Sequence, residues 1–185
     1  MDATVLPIET VSPAATRGAS TASNIAWTLG GVATLFLLGK AIGAAGAGMP
    51  YGCWQLTGAR AAASALVVGS LLGARRGNLG LFGALYALTL LSSHSSPLLL
   101  LSAALAGVAA WMAQAVISRP AVAVVVGALA FNLLLTLSGF VASLHVGAHE
   151  RLGMVNFASA TGIRILATLA VCGVVLAFSR KCSRR

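Results

Sequence analysis

Acid is what this chain lacks most. Asp2, Glu9 and Glu150 are its only carboxylates, against twelve Lys and Arg, for a net charge of +9. None of the three lies inside a long apolar run. That argues against a proton-driven pump built on buried carboxylates, and against membrane hydrolases or cyclases that need paired acids. Charge of either sign is scarce: 8% of the residues carry it, where a soluble domain has about a quarter. Aromatics are 6%, with no stacking platform, and the basic residues are scattered between apolar runs. No nucleic-acid partner is therefore expected despite the positive balance. Cys53, Cys172 and Cys182 are odd in number and have no metal-type spacing, so they imply no disulfide framework. Neither a P-loop nor a G-x-S-x-G elbow occurs, and nothing points to a cofactor.

What remains is apolar. The chain is 58% hydrophobic with a mean hydropathy of +0.94, so the surface is expected to face lipid. At roughly 20 apolar residues per crossing, 185 residues hold six helices and no soluble domain. The expected fold class is an all-α polytopic transmembrane bundle. Residues 1–23 read as a disordered Ser/Thr/Ala/Pro tail with no hydrophobic signal core. Residues 24–179 form the six-span domain, and 180–185 a basic tail. The spans are Asn24–Ala45, Ala59–Gly73, Leu79–Ser92, Pro97–Ile117, Ala121–Leu144 and Ser159–Phe178. Pro97 and Pro120 fall at helix starts, where a missing N–H costs little. Asn132, inside the fifth span, is expected to bond a neighbouring helix or its own backbone.

One block recurs. Thr57–Arg76 matches Thr161–Arg180 at eight of twenty positions, Arg60 and Arg164 among them. Each copy is a polar start, an arginine, an apolar run and a basic end. The block thus predicts a repeated two-helix unit, spans one–two and five–six. Arg60 and Arg164 are read as interfacial residues that snorkel toward lipid headgroups or anions. The alternative reading has them face a central cavity. Counting Lys and Arg sets eight on the side of the two termini against Lys40, Arg60, Arg151 and Arg164 opposite, which predicts cytoplasmic N- and C-termini. Gly69, Gly73 and Gly77 are spaced for close helix approach, to another membrane protein or a second copy of the chain.

The same topology gathers His94, His145, His149 and Glu150 on the non-cytoplasmic side. His145 and His149 are four apart, so one helical turn would bring both imidazoles to one face as metal ligands, with His94 a third and Glu150 a further ligand or acid–base group. Polar residues gathering in wet loops is the plainer explanation.

The stretch TGARAAASALVVGSLLGARRGNLGLFGALYALTLL (Thr57–Leu91) resembles the second and third helices of DoxX-like small membrane proteins, with a G-x-R start, a short Ala/Leu span and a basic turn. GSLLGARRGNL (Gly69–Leu79) also resembles a turn of the biotin-type substrate-binding subunits of energy-coupling-factor transporters. The first resemblance implies a membrane oxidoreductase, the second a small-solute transport subunit. Neither assigns a functional residue. With no catalytic constellation in the residues themselves, a non-catalytic accessory or scaffold component is the first expectation. A transport subunit and a DoxX-like or anthrone-oxidising enzyme are the alternatives.

Overall fold

The structure is a computed structural model that describes residues 13–48, 54–91, 97–145 and 150–182. Six helices account for almost all of them: α1 (Pro13–Ala45), α2 (Trp54–Ala74), α3 (Leu79–Leu91), α4 (Pro97–Val116), α5 (Pro120–His145) and α6 (Glu150–Cys182). Among the described residues there is no strand. Five helices are long and apolar enough to cross a membrane. The exception, α3, has 13 residues, about 20 Å of helical rise against a ~30 Å hydrocarbon slab.

The boundaries follow from local chemistry. Pro97 and Pro120 each open a helix, as their fixed φ and absent N–H allow. Asn78 caps α3, its Oδ1 accepting from Leu81 N at 3.1 Å. Upstream, α1 begins at Pro13, inside the stretch read as tail.

α2 is the hub. It packs against α1, α5 and α6, while α3 bridges α1 to α4 and α4 packs on α5. The two helices carrying the recurring sequence block, α2 and α6, are in direct contact. Gly69 and Gly73 face Val124 of α5 and Val175 of α6 within the same chain, a Cβ at either being in ordinary contact distance of them. Gly77 lies beyond the end of α2.

The core mixes small and large residues. Ala61, Ala65, Ala103, Ala106, Ala110 and Ala128 are buried, with Val68, Leu79, Phe82, Val124 and Phe131 filling the space between. Large apolar side chains such as Leu37, Leu88, Val116, Leu166 and Phe178 stand outside. In water that surface would be an aggregation hazard; in lipid it is the ordinary exterior of a bundle. α3 and α4 approach closely, Gly83 meeting Gly107 backbone to backbone.

Helix contacts sort the loops into two ends. At one end Asn24 and Thr28, in the first half of α1, hold the α2–α3 turn. Gly77 N donates to Asn24 Oδ1 at 3.2 Å and Asn78 N to Thr28 Oγ1 at 2.8 Å. Arg75 Nη2 approaches Ser118 O of the α4–α5 turn at 3.5 Å, and Gly73 lies beside Ser179 of α6. Asn24 and Thr28 of α1 and Ser179 of α6 thus lie at the end that carries Arg75, Arg76 and Arg119. Arg76 stacks over the Trp27 ring at 5.5 Å.

Gly77 closes this turn with φ 84°, and a Cβ there would stand 3.2 Å from Thr28 Oγ1. Gly77→Ala is therefore expected to destabilise by about 1 kcal/mol or more. Gly173→Ala, in a helix with nothing within 4 Å of the added methyl, should instead stabilise by up to about 1 kcal/mol. Thermal midpoints of the two purified variants should move in opposite directions.

Candidate functional site

At the opposite end the helices part around a cavity of about 540 Å³. Its cations come from three helices: Lys40 from α1, Arg60 from α2 and Arg164 from α6. Tyr86 of α3 adds a phenol and Ser64 of α2 a hydroxyl. Leu35, Phe36, Ile42, Leu90, Leu99 and Leu135 supply an apolar wall.

The three cations occupy one layer. Arg60 is six residues into α2 and Lys40 five before the end of α1, each about 8–9 Å of helical rise from its helix end. Arg164 stands seven residues inside the apolar segment Phe157–Ser179, about 10 Å down. A solvent-free arginine at such depth costs a few kcal/mol, so the open cavity is what makes the position tenable. Lys40 and Arg60 are exposed within it, and Lys40 Nζ lies 5.4 Å over the Phe36 ring. Arg164 is half-buried, and its Nε is fully buried without a hydrogen-bond partner.

No acidic side chain is among the described residues. On α6 itself the nearest acid, Glu150, is fourteen residues before Arg164, about 21 Å of rise.

One helical turn below the arginines lies a buried polar clasp. Asn132 of α5, 1% exposed, accepts from Ser64 Oγ at 2.6 Å through Oδ1. Its Nδ2 donates to Thr168 Oγ1 at 3.1 Å and to Ala128 O at 3.3 Å. Ser64 and Thr168 each stand four residues after an arginine, Arg60 and Arg164, at matching positions of Thr57–Arg76 and Thr161–Arg180. One amide thus ties α2 to α6 through paired hydroxyls, and Ser64 belongs to both clasp and cavity. Phe82, Tyr86 and Phe131 pack beside it with ring centroids 5.8–6.3 Å apart.

Of the residues singled out from the sequence, Arg60 and Arg164 both line the cavity. His94, His149 and Cys53 lie outside the described residues. His145 closes α5 and Glu150 opens α6, but their side chains are outside the description too. Among the described residues no three His, Cys, Asp or Glu gather, and Cys172 is a buried free thiol. Lys40, Tyr86, Ser64 and Thr168 carry no sequence signal of their own as site residues. The spacing Arg-x-x-x-Ser/Thr in both copies is the pattern that would have found the hydroxyls.

Fold and cavity together define the class: a small multi-pass helical membrane protein whose one end encloses a cationic, partly apolar cavity. No protein-family model, curated protein or solved structure matches the chain.

Proposed function

We propose that this protein is a ligand-binding unit of the membrane, of the small transport-subunit type, which holds an anionic molecule in the cavity between its helices. One observation carries the reading: three cations from three helices converge on a single cavity, with Arg164 Nε buried and unbonded. An intramembrane charge facing a cavity is the usual mark of a substrate or ion site. The arginine density of the opposite end, Arg75, Arg76 and Arg119, favours that end as cytoplasmic, so the cavity opens toward the other face.

Two measurements test this. Native mass spectrometry of detergent-purified protein should show an anionic species retained by the wild type and lost from a Lys40→Gln/Arg60→Gln/Arg164→Gln variant whose circular dichroism is unchanged. Equal retention by both, or none by either, would end the proposal. For orientation, a protease site added at residue 185 should be cut only from the cytoplasmic side; cleavage from outside would invert the topology.

A further inference from the structure

The composition of the cavity narrows the ligand further. This step rests on the anion-binding reading above. We infer that the ligand is an amphiphile whose headgroup is a phosphate monoester or diphosphate, with an apolar tail laid along the leucine wall.

Three features lead there. The first is charge. Lys40, Arg60 and Arg164 line one cavity, and Arg60, Tyr86 and Arg164 are close enough to act on one another electrostatically. A carboxylate or a phosphodiester brings one negative charge and leaves two cations unmatched. A phosphate monoester brings about −1.5 to −2 at neutral pH with three acceptor oxygens, enough to engage both guanidinium groups and the ammonium. Arginine forks suit that geometry, and lysine serves as a point charge beside them.

The second feature is the split lining. The charged groups sit with Ser64 and Tyr86, whereas Leu35, Phe36, Ile42, Leu90, Leu99 and Leu135 present only hydrocarbon and a ring. A wholly polar solute would leave that wall against water; a tail covers it. At about 540 Å³ the cavity lies in the range of small-molecule sites, ~300–1,000 Å³. It takes a headgroup with the first part of a chain.

The third is depth. The cation layer lies about 8–10 Å inside the ends of α1 and α2 and of the apolar segment of α6. A headgroup held there is drawn below the membrane surface, and its tail enters the hydrocarbon directly. A soluble phosphate compound would share the headgroup chemistry but gain nothing from the wall.

The experiment uses full-length protein in phosphatidylcholine nanodiscs, with affinity read from ligand-dependent thermal midpoints. Four probes are titrated: lysophosphatidic acid (monoester with tail), lysophosphatidylglycerol (diester with tail), dodecanoate (carboxylate with tail) and glycerol 3-phosphate (monoester without tail). Lysophosphatidic acid should bind at least about tenfold tighter than the other three. Arg60→Gln and Arg164→Gln should each remove that advantage, while Arg75→Gln/Arg76→Gln at the far end leaves it unchanged. If Arg164→Gln fails to fold, Arg60→Gln and the exposed Lys40→Gln carry the comparison. Equal binding of the three tailed probes, abolished by the cavity variants, overturns the phosphate inference while the anion-binding reading stands. Glycerol 3-phosphate binding as tightly as lysophosphatidic acid overturns the tail. Binding of no probe, together with no anion retained in the mass spectrum, brings down both readings.

Discussion

Gly107→Leu should yield almost no folded protein, and Gly107→Ala should cost about 3 kcal/mol or more, the upper end of what overpacking does. A Cβ on Gly107 would stand 2.5 Å from Gly83 Cα and 2.6 Å from Leu79 O; one on Gly83 would stand 2.7 Å from Gly107 Cα and 2.8 Å from Ala103 O. Every obstacle is backbone, so no side-chain rotation relieves the clash and the helices must separate. Separation is expensive in lipid because close packing and backbone approach, not hydrophobic burial, drive helix association there. It would also withdraw the other α3–α4 contacts around Leu79, Phe82, Ala103 and Ala106. Gly127→Ala is the informative contrast. Its added methyl meets the end of a side chain, Leu72 Cδ1 at 2.7 Å, which can turn aside. Size-exclusion profiles and thermal midpoints in detergent should rank Gly107→Ala and Gly83→Ala well below Gly127→Ala. A Gly107→Ala variant as stable as wild type would show that α3 and α4 do not meet as described.

The second large effect is expected at Asn132, where the kind of substitution decides the size. Asn132→Leu removes the links to Ser64 and Thr168, yet Ser64 Oγ has Arg60 O and Ala61 O, each at 3.0 Å, to turn to. Interhelical hydrogen bonds in membranes average about 0.6 kcal/mol and reach roughly 1.7, so this variant should lose about 1–2 kcal/mol. Asn132→Asp keeps the shape but places an ionisable group at a site 1% exposed. A carboxylate at mid-span costs about 2.5–3.5 kcal/mol on insertion scales. It would also stand opposite Ala61 O and Ala128 O, which now face Nδ2 at 3.5 and 3.3 Å. The aspartate variant should therefore melt well below the leucine one at neutral pH. The reverse order would mean that water reaches the clasp.

Much of the fold was legible because membrane helices announce themselves. Leu79 and Pro97 read as helix starts and are observed there, and Ala121 differs from Pro120 by one residue. Proline, glycine and the hydropathy of the runs are local signals, and helix ends are local events. The start of α1 was harder: an Ala/Ser/Thr stretch without large apolar residues gives no periodicity to read, yet it belongs to the same helix as the span that follows. The site was less legible still. Arg60 and Arg164 could be picked out as intramembrane charges, but whether an arginine snorkels outward or turns into a cavity depends on which helix lies beside it. Lys40 and Tyr86 needed the packing of α1 and α3 to become neighbours of those arginines. Gly83 and Gly107 carried no signal at all, because a chain with 21 glycines does not advertise which two touch.

The glycine crossing also constrains how this molecule can breathe. Two helices that meet backbone against backbone, with α4 in turn packed along α5, leave no side-chain layer between them at the crossing. α1 packs on α2 and α3, with Asn24 and Thr28 tying its middle to the α2–α3 turn and Leu35, Leu38 and Ile42 of its second half packed on the core. The crossing thus sets how far apart Tyr86 of α3 and Leu99 of α4 stand along the cavity they both line.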